Sequence, residues 1–221
     1  MNAIKTKGVG LAILVFCAGI AALSWELLWQ HYASLNFGMS AEGTAITLAT
    51  TMGGMTVGSF LMGALLSRQK TVVPLRLYAL LEGIIGVSGL LLKPGFTLLS
   101  YLDGEVYRQF PALASLFNFM GVSLLLSLPA MAMGATIPVI GLLARNFNLS
   151  LARLYAINTA GAALGVYLLA FVLFPNWGVS FTTTVISMIN FSVALFAIVA
   201  AGWIRKPRVE IPAKVDRQIM D

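Results

Sequence analysis

Residues 154–204 read LYAINTAGAALGVYLLAFVLFPNWGVSFTTTVISMINFSVALFAIVAAGWI, 51 consecutive positions without Asp, Glu, Lys or Arg. A helix needs roughly 20 apolar residues to cross a hydrocarbon core of about 30 Å. This stretch is therefore long enough for two crossings. Its middle, residues 174–178, combines turn-forming residues with an interfacial tryptophan, so we expect the chain to divide there into a fifth and a sixth span.

The composition of the whole chain agrees with a membrane location. Of 221 residues, 59% are hydrophobic and only 10% are charged, whereas about 25% are charged in typical soluble domains. Such a chain cannot cover a soluble surface with polar groups, which excludes a soluble enzyme, a disordered protein and a nucleic-acid-binding module. The sequence therefore predicts a polytopic membrane protein.

Four further apolar runs precede residue 153. The fourth run is 33 residues long and contains two prolines, and a straight helix of that length would measure about 50 Å. We therefore expect either a kinked helix or a span followed by a short interfacial segment after Gly134. The predicted fold class is all-α, with six transmembrane helices in a domain of residues 1–204 and a short basic tail of residues 205–221. The four runs are 8–29, 43–67, 77–92 and 112–144.

The basic residues predict the orientation of the chain. With six spans and a cytoplasmic N-terminus, 12 of the 14 Lys and Arg residues lie on the cytoplasmic side, and only Lys93 and Arg108 face outward. The positive-inside rule therefore predicts an inner (plasma) membrane protein with both termini in the cytoplasm. The net charge of +6 is explained by topology and by contact with the lipid bilayer, so no nucleic acid partner is expected.

Polar residues inside predicted spans are costly and are therefore candidates for a functional site. Glu26 lies late in the first span, near the outer leaflet, whereas Glu82 and Asn158 lie near the cytoplasmic side. This spacing predicts two stations along a path rather than one site. The alternative is that each Glu hydrogen-bonds to a neighbouring helix and stabilises the bundle. The packing interpretation, a hydrogen bond between helices, also applies to Asn118, Asn158 and Asn190.

Two glycine pairs have the spacing of close helix–helix contacts. Gly54 and Gly58, and likewise Gly161 and Gly165, are separated by three residues, which lets neighbouring backbones approach. From these faces we predict a homodimer, the commonest symmetric assembly. The alternative, that these glycines pack helices within one protomer, stays open.

A short internal repeat relates two parts of the sequence. The pentapeptide RLYAL at residues 76–80 recurs as RLYAI at residues 153–157, an offset of 77 residues. The two copies match spans two and three with spans four and five in the same direction. Transporter folds are often built from internal repeats, although this one is not a three-plus-three inversion.

Four segments resemble the membrane half of bacterial fused spermidine-synthase proteins, whose helices are described as major-facilitator-like. The resemblance implies a polyamine ligand, and in that family a synthase domain follows the membrane half. This chain ends without such a domain, and it also fits a fragment of a longer fusion. The four segments, in order, are SWELLW at 24–29, PLRLYALLE at 74–82, MGATIP at 133–138 and RLYAINTAGAALG at 153–165.

These observations predict a transporter-like protein that binds or moves a small organic cation, with a polyamine implied by the resemblance. The alternative is a membrane anchor or accessory subunit for a separately encoded soluble transferase of the aminopropyltransferase type. No catalytic set, metal-spaced ligand group or nucleotide motif occurs in the sequence, so no catalytic residue, metal or cofactor is predicted. The candidate substrate-binding residues are Glu26, Glu82, Tyr78, Tyr155 and Asn158.

Overall fold

The computed structural model describes residues 2–68, 71–203 and 209–210, and the described chain is almost entirely helical. A π-helical turn, Leu169–Leu173, joins the fifth helix to the sixth, and two-residue strands β1 (Thr71–Val72) and β2 (Val209–Glu210) pair antiparallel. Apart from β2, the predicted tail of residues 205–221 lies outside the described residues. The helices are α1 Asn2–Phe37, α2 Ala41–Arg68, α3 Pro74–Gln109, α4 Pro111–Asn146, α5 Leu151–Leu168 and α6 Phe174–Trp203.

Five helical stretches in the described part of the chain are long and apolar enough to cross a membrane. They are Gly8–Phe37, Ala41–Arg68, Pro74–Gln109, Pro111–Asn146 and Leu151–Gly202. The last spans 52 residues and would measure about 78 Å as one straight helix, far more than a bilayer core. The predicted all-α class is confirmed, and these helices support the prediction of a membrane protein.

Contacts with α1 show that the chain reverses direction between α5 and α6. Later residues of α5 contact later residues of α1, so these two helices run parallel. Later residues of α6 contact earlier residues of α1, so these two helices run antiparallel. The pairs are Val15–Asn158 and Ile20–Gly165 for α5, and Tyr32–Thr183 and Trp25–Asn190 for α6. The helical backbone is broken at Gly178, within the predicted turn. Its φ of 74° and ψ of 174° form a conformation that almost only glycine adopts.

Two helix boundaries differ from the sequence-based expectation. The third helix was expected to end at Leu92, but α3 continues through Pro94 to Gln109. A proline removes one backbone donor from a helix, and a long apolar helix tolerates that loss. For the fourth run, the structure excludes one of the two expected alternatives: α4 is a single helix from Pro111 to Asn146, with Pro129 and Pro138 inside it and no separate segment after Gly134.

The paired glycines make helix contacts within one chain. A Cβ atom at Gly58 would overlap the Met131 carbonyl on α4, and one at Gly165 would overlap the Ile20 carbonyl on α1. Gly54 and Gly161 lie on the same two interfaces, because added Cβ atoms there would meet Ala130 and Phe16. Both small-residue faces are therefore filled by the protomer itself, and the predicted homodimer loses the surface on which it was based.

The helix contacts relate α1–α3 to α4–α6. The α1 helix packs on α5 and α6, and α4 packs in a corresponding way on α2 and α3. The α3 and α6 helices, which occupy equivalent places in the two halves, pack on each other. The α2 and α4 helices run parallel, whereas α1 and α2 form a hairpin, so α1 and α4 point in opposite directions. The repeat at residues 76–80 and 153–157 suggested a different pairing, because it reflects the similar loop-to-helix junctions that open α3 and α5.

Candidate functional site

A cavity of about 360 Å³ lies at the centre of the bundle, with walls from all six helices. Its lining is mostly apolar, but it contains a small group of polar side chains from α1, α3, α4, α5 and α6. The five residues predicted to bind substrate all border this one cavity: Glu26, Tyr78, Glu82, Tyr155 and Asn158. The structure therefore brings together residues from α1, α3 and α5 that are up to 132 positions apart in the sequence.

Glu82 is the most deeply placed acidic group of this site. Its side chain is 3% exposed, and Asn190 Nδ2 donates a hydrogen bond of 2.7 Å to Glu82 Oε2. Trp25 Nε1 in turn donates a hydrogen bond of 2.8 Å to Asn190 Oδ1. Because an indole N–H can only donate, Trp25 orients the Asn190 amide with its oxygen towards the indole and its nitrogen towards Glu82.

Small residues on α3 create the space that this network needs. The ring of Trp25 lies directly against Gly89, two turns beyond Glu82, where a Cβ atom would overlap the ring. Tyr78, one turn before Glu82, is also buried and borders the same cavity. Glu82 thus receives its hydrogen bond from α6, while it also borders the cavity.

The other predicted residues form the more open side of the cavity. Asn158 Nδ2 donates a hydrogen bond of 3.1 Å to the Val15 carbonyl, which ties α5 to α1. Tyr155 lies one turn away and is 68% exposed, and Glu26 is half-buried. The cavity therefore has a closed end at Glu82 and an open side near Tyr155.

Glu26 and Glu82, which the sequence predicts as two stations along a path, border the same cavity. Glu82 lies eight residues after Pro74, about 12 Å from the start of α3, and its burial against Asn190 of α6 places it inside the bundle.

Sequence reasoning gave several polar residues a packing role, with mixed results. Asn190 does form packing hydrogen bonds, but it also lines the cavity and holds Glu82. Asn118 bonds to Asp103 near the α3–α4 hairpin, away from the cavity. Trp25 was missed as a site residue. Its position beside Glu26 was a signal, but neighbouring residues on a helix face different directions, so only the fold shows that both border one cavity.

The charged side chains described around the cavity are acidic. Among the described residues, those that line it include two carboxyl groups and no Lys, Arg or His. Within the described part of the chain, no group of three or more His, Cys, Asp or Glu side chains is placed to hold a metal ion. Three aromatic side chains, Trp25, Tyr78 and Tyr155, also line the walls. The site therefore offers hydrogen-bond acceptors, negative charge and aromatic rings.

Comparisons with protein-family profiles, with curated proteins and with solved structures give no match to this chain. What the site does is therefore inferred from its own residues and geometry. The fold and the cavity define a helical membrane protein with an acidic, aromatic-lined cavity between its helices.

Proposed function

We propose that this chain is a transporter-like protein of the inner membrane that binds or moves a small organic cation in the central cavity. Six spans with both termini in the cytoplasm are part of the proposal. The reversal of the chain at Gly178 supports two spans within Leu151–Gly202, and the distribution of Lys and Arg supports the orientation.

The single observation that carries the proposal is the environment of Glu82. A carboxylate that is 97% buried in a membrane helix is costly unless its charge is neutralised. Asn190 supplies a neutral hydrogen bond, and among the described residues the cavity lining includes no cation. A bound cation would complete the site, because it would provide the positive charge that these lining residues lack.

The walls favour an organic cation over a hydrated metal ion. The aromatic rings of Trp25, Tyr78 and Tyr155 are suited to cation–π contacts, which are stronger for desolvated organic cations. The remaining wall residues are mainly apolar and would contact methylene groups rather than water. The two carboxyl groups, Glu26 and Glu82, suit a ligand with more than one ammonium group, in agreement with the polyamine implied by the sequence resemblance.

The proposal is tested by calorimetric titration of the purified protein with putrescine and spermidine. The Glu82→Gln variant removes the charge but keeps the shape, and we expect it to lower the affinity at least tenfold, because a buried charge pair loses one partner. The matched control is Glu105→Gln on the same helix, since Glu105 lies outside the cavity and pairs with Arg108.

Two results would contradict the proposal: no heat of binding for either amine, or equal affinities for wild type and Glu82→Gln. If amines do not bind but a soluble transferase co-purifies with the native protein, the anchor or accessory role gains support instead. A dimer, if present, would appear in the same preparations by native mass spectrometry.

A further inference from the structure

A second concavity lies on the outer surface of the bundle, between α3 and α6. We name it the α3/α6 groove. It has a volume of about 990 Å³, and one α4 side chain, Leu128, also borders it. Many of its side chains are apolar and exposed, so they face the membrane lipids. The residues that define the groove are Arg76, Ala79, Leu80, Gly83, Ile84, Val87, Ser88, Leu91, Leu128, Phe191, Ala194, Ile198 and Gly202.

Glycines on both helices leave this groove open. A Cβ atom added at Gly83 or at Gly202 would meet nothing within 4 Å. At Gly86, one residue outside the groove, a Cβ atom would instead meet the ring of Phe191, which fills the space between the helices. The groove is therefore an unfilled surface channel above a well-packed helix contact.

The groove has one charged end. Arg76, in the first turn of α3, is exposed and borders the groove together with Gly202 near the end of α6. From Arg76 to Leu91 the groove extends along 15 residues, about 22 Å. Half of a bilayer, including its headgroup region, is about 20–22 Å thick. The groove thus runs from the headgroup level to the middle of the membrane.

We propose that the α3/α6 groove binds one anionic phospholipid, with an acyl chain along the apolar walls and the phosphate headgroup at Arg76. A long apolar channel with the cation Arg76 at the membrane surface matches the shape and charge of such a lipid. The proposal rests on the membrane embedding of the chain, but it does not depend on the cation cavity, because no residue is shared between the two sites.

Native mass spectrometry of the full chain in a mild detergent tests this site, with dioleoyl phosphatidylglycerol and dioleoyl phosphatidylcholine as the added lipids. We expect wild type to bind phosphatidylglycerol more tightly. Arg76→Gln is expected to lower the affinity for phosphatidylglycerol about fivefold at low salt, which is the effect of one basic residue near a membrane surface. The affinity for phosphatidylcholine is expected to stay unchanged. Gly83→Leu is expected to lower the affinity for both lipids, because the new side chain would occupy the groove.

Matched controls separate this site from general lipid adsorption. Arg145→Gln removes an exposed charge from the last turn of α4, and Gly63→Leu fills an open position on α2, both outside the groove. Neither control is expected to change lipid binding. Gly202→Leu fills the other wall and replaces Gly83→Leu if that variant does not fold.

Several results would overturn the proposal. One is equal binding of the two lipids by wild type, and another is an Arg145→Gln effect as large as that of Arg76→Gln. Displacement of phosphatidylglycerol by excess inorganic phosphate would show that the site recognises the phosphate alone. Loss of lipid preference with normal amine binding would refute this inference alone. Loss of amine binding with a normal lipid preference would refute the proposed function alone.

Discussion

Alanine substitutions of glycines on α2 test how the bundle is packed, because α2 contains glycines in opposite environments. A Cβ atom at Gly58 would overlap the backbone carbonyl of Met131, whereas one at Gly63 would meet nothing within 4 Å. Alanine in a helix interior is favoured over glycine by about 0.5–1 kcal/mol. Gly63→Ala should therefore stabilise the protein by about that amount.

Gly58→Ala should have the opposite sign. The obstructing atoms belong to the α4 backbone and cannot rotate away, so α2 and α4 must move apart. Overpacking a protein interior costs about 1–3 kcal/mol and occasionally more. Because backbone atoms obstruct the new methyl group, we expect Gly58→Ala to lower the free energy of unfolding by about 2–3 kcal/mol. At about 2–4 °C per kcal/mol for a chain of this size, Tm should fall by about 4–12 °C, while Gly63→Ala should raise it by about 1–4 °C.

The assay uses the single cysteine of the chain, Cys17, which is half-buried in α1. A fluorogenic thiol reagent reports its exposure during a thermal scan in detergent. Because the Gly58 contact lies within one chain, the Tm difference should be the same at protein concentrations that differ tenfold. A stabilising Gly58→Ala would refute the packing described here. A loss of stability that varies with protein concentration would instead place the Gly58 contact between two protomers.

Two further predictions concern the hydrogen-bond network and the α5–α6 turn. Trp25→Phe leaves Asn190 Oδ1 without its donor, so it should destabilise the protein by about 1–3 kcal/mol more than Trp29→Phe, a similarly buried tryptophan outside the network. Thermal scans check this value, and equal losses for the two variants would contradict the role of the indole N–H. Gly178→Ala should cost about 1–3 kcal/mol although its surroundings are open, because φ 74° and ψ 174° strain any other residue. The control is Gly104→Ala, an open helical glycine, and an unchanged Tm for Gly178→Ala would contradict the backbone conformation at the turn.

Much of the candidate site could be predicted from the sequence, because polar residues are conspicuous in apolar spans. Glu26, Glu82 and Asn158 were identified by this criterion, and the structure places all three on one cavity. Their grouping could not be predicted. The position of Glu82 along its own helix does not show which helices surround it, and only the fold reveals that Asn190 of α6 is its hydrogen-bond partner.

By itself, the sequence determined the class of the protein, the approximate positions of the apolar helices and the turn at residues 174–178. These properties depend on local composition, since transfer into lipid is governed by the apolar residues of each segment. Only the tertiary structure decided which helices meet, that Gly58 packs on α4 rather than on a second chain, and that Trp25 orients Asn190 towards Glu82. The physical reason is that lipid-facing and buried surfaces of a membrane helix are equally apolar, so hydrophobicity does not reveal which face meets a neighbour.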